Sequence, residues 1–374
     1  MTKKEMFYFI GKCLTIEEHQ GFREEIIDKI NADSIDWQQF VVFCSDHLIL
    51  PVIYLKFQAY GIIEYLPIEL SEHLKEIYEL NLSRNNQILK QLQEITEILD
   101  SNNIFPVYLK GAGNLLDGLY SNIGERIMGD IDFLVSEKDF LLAVQLLQNA
   151  GYSYSSDHPA YLDAMDRKHF PGLFKEDVPA IVEIHHTPVD LAHRSWFNSE
   201  MIEREQRTVS ILQGCYVLSD KHNIIFNFIH GQLHHGAHSS GIISFRDLYD
   251  FNLLSKRFEP KLTLADIQTK QKAIAYFLFA GKAFSQPARF YSTRNISFRI
   301  LSRKHDLNLS SPTFYHGYRY VVFFTHQVFV KYIGQIFDSF HSKQVRQSLY
   351  RRMSNRQWYI DHLHHYTRFL SGNK

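Results

Sequence analysis

The chain has 374 residues, of which 45% are hydrophobic and 22% are charged, and its formal net charge is −1. This composition is typical of a globular protein with room for two or three domains, and the neutral balance gives no sign of a chain that is basic throughout. The three cysteines lie far apart without metal-ligand spacing, so we expect no disulfide framework and a cytoplasmic location. We also expect no signal peptide and no membrane among the partners.

The first region of the chain has the periodicity of helices. Apolar residues recur at three- and four-residue steps from Trp37 to Leu48, and Pro51 indicates a break near the end of that helix. Pro67 opens a second and longer helical pattern, because proline is tolerated in the first turn of a helix. We therefore predict an N-terminal helical region over residues 1–101.

The middle region, residues 102–219, combines strand and helix patterns. Short apolar runs predict strands over 104–109, 131–135 and 180–185, and two further short strands are predicted between 207 and 218. Helices are predicted over 114–120 and 139–150, and Gly151 is a helix-stop signal directly after the second of them. The predicted fold class is α+β, a mixed sheet with helices, flanked by N-terminal and C-terminal helical regions.

The last region, residues 220–374, returns to helical periodicity. Residues 287–317 are rich in serine, arginine and asparagine and are predicted to form an irregular link. From residue 341 on, the chain is basic, with aromatic residues interleaved. Such a segment is more often the solvated face of a helix, although charge and stacking also allow it to bind RNA.

Two aspartates stand two residues apart in the second predicted strand. Residues i and i+2 of a strand point to one face, so Asp130 and Asp132 are expected to project together, with Ile131 and Phe133 in the core. Adjacent carboxylates repel each other unless a cation lies between them, and Mg²⁺ binds through one or two carboxylates plus substrate phosphates. The alternative is a strand edge with two solvated aspartates, because a lone Asp-x-Asp often occurs by chance.

Three flanking features favour the metal site. The run Lys110-Gly111-Ala112-Gly113 joins a predicted strand to a helix, where backbone N–H groups can bind phosphate; a plain glycine turn is the alternative. Arg126 offers a planar fork for a triphosphate, or is a surface residue that pairs with Glu125 or Asp117. Glu183 lies on the strand face opposite Val182 and Ile184 and would complete a two-metal site, unless it only faces solvent.

Together these residues resemble the DNA polymerase β-type nucleotidyltransferase superfamily, and more closely a bacterial family within it. The motifs that carry the resemblance are Tyr108-Leu109-Lys110-Gly111, Arg126, Asp130-Ile131-Asp132-Phe133-Leu134-Val135 and Val182-Glu183-Ile184-His185-His186. The resemblance spans roughly residues 35–255 and is strongest at 107–135. It implies a nucleotidyltransferase-type sheet and a catalytic domain over residues 102–219, followed by a C-terminal helical region over 220–374.

The resemblance also implies a reaction. A nucleoside monophosphate would pass from ATP or another nucleoside triphosphate to an unknown acceptor, which is a small molecule, a protein or RNA, with release of pyrophosphate. Asp130 and Asp132 would bridge Mg²⁺ or Mn²⁺ ions, and Glu183 would hold the metal nearest the acceptor. Typical members carry Gly-Ser at the phosphate-binding turn, whereas Lys110-Gly111-Ala112 offers no hydroxyl. The donor is therefore expected to contact Lys110, Gly111, Ala112, Gly113 and Arg126.

Several of the 20 histidines fall near the predicted cleft. His185 shares the strand face of Glu183 and either contacts a carboxylate or the nucleotide, or is structural. His230 and His234 stand one helical turn apart, a spacing that can bind zinc, although a polar helix end is the more frequent explanation. We predict His230 and Asp247 as further cleft residues.

Two other functions are compatible with the sequence. Sugar-nucleotide glycosyltransferases also hold a metal with Asp-x-Asp, but they would need neither the strand–Lys-Gly–helix turn nor Glu183. A catalytically silent nucleotide-binding protein would be free to lose one of the three carboxylates, which are all present. A toxin or antitoxin role of a nucleotidyltransferase is also open.

Overall fold

The computed structural model describes residues 1–154, 168–234, 237–286, 294–325 and 333–341, together with positions 346, 347, 349, 350 and 354. The predicted mixed α+β class is confirmed, because helices flank a central sheet on both sides in sequence. The helices that precede the sheet are α1 (Lys3–Leu14), α2 (Phe22–Asn31), α3 (Trp37–Asp46), α4 (Leu50–Ala59) and α5 (Ile68–Asp100). Pro51 lies in the first turn of α4, and Pro67 immediately precedes α5.

The sheet in the described residues has five strands in the order β3-β2-β1-β5-β4. They are β1 (Val107–Tyr108), β2 (Asp130–Leu134), β3 (Ile181–His185), β4 (Arg207–Thr208) and β5 (Tyr216–Val217). β2 runs antiparallel to β1 and parallel to β3, whereas β5 is parallel to β1 and antiparallel to β4. All five predicted strands are therefore present, although the first is shorter than the apolar run 104–109.

Among the described residues, three α-helices lie between the strands: α6 (Lys110–Leu116), α7 (Phe140–Asn149) and α8 (Ser199–Glu205). The predicted helix over 114–120 thus begins four residues earlier, so Lys110-Gly111-Ala112-Gly113 forms its first turn instead of a separate turn. Close packing explains both glycines of this turn. A Cβ on Gly113 would lie 2.4 Å from the Tyr108 carbonyl oxygen, and one on Gly111 would lie 2.8 Å from Met128 Cγ.

Helices also dominate the chain after the sheet. In the described part of the chain they are α9 (Asp220–Phe228), continued by a π-helical turn (Ile229–Leu233), α10 (Ala237–Ser240), α11 (Phe245–Arg257), α12 (Pro260–Thr263), α13 (Lys270–Ala283), α14 (Ile296–Ser310), α15 (Pro312–Thr325) and α16 (Gly334–His341). None of the described helices has the length and apolar character that a membrane span requires. The basic segment predicted from residue 341 on lies mostly outside the described residues.

The prediction of an irregular link over 287–317 is wrong for its described part. Helix α14 packs against α13 and buries Phe298, Leu301 and His305, which follow one helical face. The sequence pattern does not mark that face, because Ile296, Ile300 and Leu307 of the same helix are exposed and the apolar residues of α14 therefore follow no single stripe. Residues 287–293 lie outside the described part of the chain.

Helix α5 holds the segments from which β2 and β3 begin. Asn81 and Asn85 donate side-chain hydrogen bonds to the carbonyl groups of the loop over 123–126. Gln91 donates to the Ala180 carbonyl oxygen at 2.8 Å and accepts from the Ala180 amide at 3.2 Å. These amide side chains are buried, so they satisfy backbone groups that would otherwise lack a partner. The start of each site-bearing strand is thereby fixed to one helix.

Candidate metal and nucleotide site

The register of β2 and β3 brings the predicted carboxylates onto one face of the sheet. Asp132 pairs with Glu183 across the parallel strands. The alternate residues Ile131, Val182 and Ile184 are fully buried on the other face. The period of two along each strand therefore turns Asp132 and Glu183 away from that apolar layer and toward each other.

Asp132 is the buried centre of this face, with 1% of its surface exposed. Its Oδ1 accepts hydrogen bonds from Lys110 Nζ at 2.7 Å and from His185 Nε2 at 2.9 Å. Burial raises the pKa of Asp132, but the Lys110 charge and the hydrogen bond from His185 outweigh it and hold the pKa well below its ordinary value. Its Oδ2 is buried without a hydrogen-bond partner among the described residues. An ionised carboxylate oxygen without a hydrogen-bond partner has the charge and the free lone pair that a metal ligand needs.

Lys110 reaches Asp132 from an unusual backbone conformation. Its φ is +50°, in the left-handed region that non-glycine residues rarely adopt. The residue stands at the start of α6, directly after β1, so this conformation turns the chain from strand to helix. The strain is retained where the ammonium group contacts the buried carboxylate, as is common at functional sites.

Glu183 is the more accessible of the paired carboxylates, with 25% of its side chain exposed. Its Oε2 lies 3.8 Å from His185 Nε2 and 3.8 Å from His169 Nε2. The neighbouring His185 lowers the pKa of Glu183 despite partial burial, and the charge of His169 acts in the same direction. One ligand atom each from Asp132, Glu183 and His185 lies within 4.8 Å of the others, which is a spacing that one metal ion can bridge.

Asp130 stands at the start of β2, on the same strand face as Asp132. It is partly buried, and burial raises the pKa of Asp130, as does repulsion from the Asp132 and Glu183 charges. The structure therefore places Asp130 within the electrostatic reach of the cluster, but it does not belong to the group of three close ligand atoms. A site with all three carboxylates on metal remains a prediction.

A segment that the sequence did not single out completes this face. Residues 169–173 run antiparallel to β3, with His169 opposite His185 and Leu173 opposite Val182. The His169 and His185 rings lie 4.9 Å apart. Lys168 precedes them, and burial together with the nearby Lys110 charge lowers the pKa of Lys168. No periodic pattern marks Lys168 and His169, because their place depends on pairing with β3.

Arg126 is committed to a buried ion pair. Its Nε lies 3.2 and 3.1 Å from the two carboxylate oxygens of Asp250, and its Nη2 lies 3.0 Å from Oδ2. Asp250 also accepts a hydrogen bond from Tyr120 at 2.9 Å. The guanidinium group thus joins the entry to β2 to helix α11. Contact of Arg126 with a triphosphate remains a prediction, and the structure gives this side chain a structural partner.

The remaining predicted cleft residues lie on the π-helical turn and on α11. His230 and His234 stack with ring centroids 5.7 Å apart, and His234 Nδ1 lies 2.9 Å from Asp190 Oδ2. Burial and the Lys110 charge lower the pKa of His230 well below its ordinary value, whereas burial raises the pKa of Asp247. The histidines at 230, 234 and 238 form no second group of three metal-ligand atoms among the described residues, and His235 lies outside them.

These residues fit a divalent cation. The donor set combines two ionised carboxylates with imidazole, and Asp132 Oδ2 is buried without a partner in the described structure. Carboxylate oxygens that converge beside lysines are suited to a cation and to the phosphates that accompany it. The cluster of Asp132, Glu183 and His185 therefore has the spacing and the chemistry to hold a metal ion.

The family follows from comparison with known proteins. Residues 33–292 match the model of a family described as uncharacterised nucleotidyltransferase, and the chain belongs to this family. None of the curated proteins matches the chain. The resemblance inferred from the Asp130–Val135 motif is therefore confirmed at the level of the family, and nucleotidyl transfer is the activity that the family implies.

Proposed function

We propose that the chain transfers a nucleoside monophosphate from a nucleoside triphosphate to an acceptor hydroxyl or phosphate. The observation that supports this most strongly is the convergence of Asp132, Glu183 and Lys110 on one sheet face. A divalent cation, Mg²⁺ or Mn²⁺, bound by Asp130, Asp132 and Glu183 supplies positive charge that offsets the charge of the phosphates and of the attacking oxygen.

Two lysines and Glu183 are assigned to the binding of the donor phosphates and to proton transfer. Lys110 and Lys168 bring positive charge to the same carboxylates, so we assign them to the phosphates of the donor. The attacking oxygen bonds to the α-phosphorus, the bond to the bridging oxygen breaks, and pyrophosphate leaves with the electron pair. Where the acceptor is a hydroxyl, Glu183 takes its proton, because this carboxylate is partly exposed whereas Asp132 is not.

Labelled nucleotides test the proposal. The chain is incubated with Mg²⁺ or Mn²⁺, a cell extract and each nucleoside triphosphate, carrying the label either on the α-phosphate or on the γ-phosphate. We expect the α-label to enter an acceptor and the γ-label to appear in pyrophosphate. Digestion of the product by protease or by ribonuclease then separates protein, RNA and small-molecule acceptors. Transfer of the γ-label alone would indicate a kinase and contradict the proposal.

The glycosyltransferase alternative makes a different prediction for the same site. A glycosyltransferase would release a nucleoside diphosphate from a sugar nucleotide and would work without Glu183. The position of Glu183 opposite Asp132, together with the family match, favours nucleotidyl transfer. Incubation with sugar nucleotides therefore serves as the parallel arm, in which we expect no turnover.

A further inference from the structure

The ring of His169 has a defined orientation. Its Nδ1 lies 2.8 Å from the Phe170 carbonyl oxygen. A carbonyl oxygen only accepts hydrogen bonds, so Nδ1 carries the proton and donates it. In the neutral ring the lone pair is therefore on Nε2, the atom that lies 3.8 Å from Glu183 Oε2. Metal-binding histidines are commonly held in this way, with the other ring N–H donated to a backbone carbonyl.

A second imidazole faces the same oxygen. His185 Nε2 also lies 3.8 Å from Glu183 Oε2, and it lies 2.9 Å from Asp132 Oδ1. A separation of 3.8 Å is too long for a hydrogen bond. It suits two ligands of one ion, since metal bonds of about 2.0–2.2 Å place neighbouring ligand atoms roughly 3–4 Å apart. In the metal-free chain His185 Nε2 donates its proton to Asp132 Oδ1, so ion binding has to displace that proton and leave the neutral ring protonated at Nδ1.

The buried carboxylate supplies an independent observation. Asp132 has 1% of its surface exposed, and its Oδ2 finds no hydrogen-bond partner in the described part of the chain. Burial of an unsatisfied charged oxygen costs free energy, so such atoms are normally partnered by protein, water or an ion. The cluster thus combines an unpartnered oxygen with an imidazole lone pair, on two segments that pair with the same strand.

We propose that Asp132, Glu183 and His185, whose ligand atoms lie close together, form a mixed imidazole–carboxylate site for a first-row transition-metal dication, and that His169, which lies outside this group but beside Glu183, is its fourth ligand. This deepens the proposed function, on which it rests, by naming the class of metal that the site selects. Imidazole nitrogen is a preferred ligand of zinc and related ions, whereas Mg²⁺ prefers oxygen ligands and retains water. The site therefore binds Zn²⁺ or Co²⁺ in preference to Mg²⁺.

Titration of the metal-free, full-length chain with Co²⁺ tests this directly, because the visible absorption of Co²⁺ reports nitrogen coordination without any catalytic assay. We expect one ion per chain and no displacement by a large excess of Mg²⁺. His169→Gln should weaken Co²⁺ binding at least about tenfold. His73→Gln, at an exposed histidine of α5, is the matched control and should bind as the parent does.

A second variant gives a positive signal that does not depend on lost affinity. His169→Cys places a thiolate at the proposed ligand position, and coordination would add an ultraviolet sulfur-to-cobalt charge-transfer band. The three native cysteines are buried, so they do not contribute such a band. Unchanged Co²⁺ affinity in His169→Gln together with no new band in His169→Cys would overturn the proposal. Displacement of Co²⁺ by an equal concentration of Mg²⁺ would overturn it as well.

The metal proposal and the proposed function fail in different ways. Normal Co²⁺ coordination without transfer of α-label from any nucleoside triphosphate would refute the function and leave the metal site in place. Transfer of α-label with Mg²⁺ alone, unaffected by His169→Gln, would refute the metal site and leave the function in place.

Discussion

Lys110 Nζ lies 2.7 Å from Oδ1 of Asp132, and this ammonium is one of two groups that hold the buried carboxylate ionised. Lys110→Met should therefore lower the free energy of unfolding by about 3 kcal/mol, as expected when one partner of a buried ion pair is lost. Mn²⁺ should restore part of this loss, because the cation replaces the missing charge. Denaturant unfolding with and without Mn²⁺ measures both effects. Lys90→Met, at an exposed position of α5, is the control, and equal losses in the two variants would contradict the prediction.

Glu183→Gln separates catalysis from donor binding. The amide keeps the size of the side chain and some of its hydrogen bonding. It removes the negative charge that we propose takes the proton from the acceptor hydroxyl. We expect turnover to fall at least about a hundredfold, in line with the loss of a general base. Calorimetry with a non-hydrolysable triphosphate should show a much smaller change in donor affinity. Glu203→Gln, at an exposed position of α8, should retain both properties. A Glu183→Gln variant with parental turnover would remove Glu183 from the mechanism.

Asp130→Asn and Asp132→Asn should both abolish turnover, but they should differ in stability. Asp132 is buried and receives hydrogen bonds from Lys110 and His185, so its replacement leaves two donors without a charged acceptor. Burial and neighbouring carboxylates raise the pKa of Asp130, so the loss of its charge should relieve repulsion. Thermal unfolding should therefore rank Asp130→Asn above Asp132→Asn, and the reverse order would contradict this account of the site.

The ion pair of Arg126 with Asp250 predicts a structural role that can be separated from phosphate binding. Arg126→Met alone should cost about 3–5 kcal/mol of unfolding free energy, because it strands a buried carboxylate. Adding Asp250→Asn should recover much of that loss, since no charge is then left unpaired. The double-mutant cycle by denaturant unfolding measures the coupling. Additive losses would show that the pair is not coupled, and Arg126 would then be free for the triphosphate.

His47 predicts a pH dependence remote from the site. Its Nδ1 accepts a hydrogen bond from the Phe245 amide, and burial lowers the pKa of His47 to about 4. In the unfolded chain the His47 ring is protonated near the ordinary pKa of about 6.5, whereas in the folded chain it stays neutral until about pH 4. The contribution of neutral His47 to stability is therefore complete above about pH 6.5 and is lost as the pH falls toward 4. Unfolding free energies between pH 7.5 and 4.5 should fall less steeply for His47→Gln than for the parent. His73→Gln should keep the parental slope, and equal slopes for all three proteins would contradict the shift.

The sequence predicted the elements whose formation depends on neighbouring residues along the chain. The strand that carries Asp130 and Asp132 follows from an alternating pattern, and its pairing with the strand of Glu183 follows from the family resemblance. Two features depend on long-range contacts and have no local signal. Arg126 finds Asp250 at a separation of 124 residues, and His169 reaches Glu183 through pairing of its segment with β3. Helix α14 was not predicted for a related reason, because its apolar residues are divided between a buried face and exposed positions, so no single helical stripe is evident.

The side-chain hydrogen bonds that α5 makes to the segments before β2 and β3 limit where the chain can be truncated or exchanged with that of a relative. Gln91, Asn81 and Asn85 supply partners for backbone groups at the entry to β2 and β3, so the carboxylate strands take their position from a helix outside the sheet. We therefore expect a fragment that starts at residue 102 to expose those groups and lose the alignment of Asp132 with Glu183. For the same reason, a chimera that exchanges this core with a relative would have to carry α5 with it. The smallest segment that can be exchanged as a unit is therefore the sheet together with α5 and its buried amide side chains.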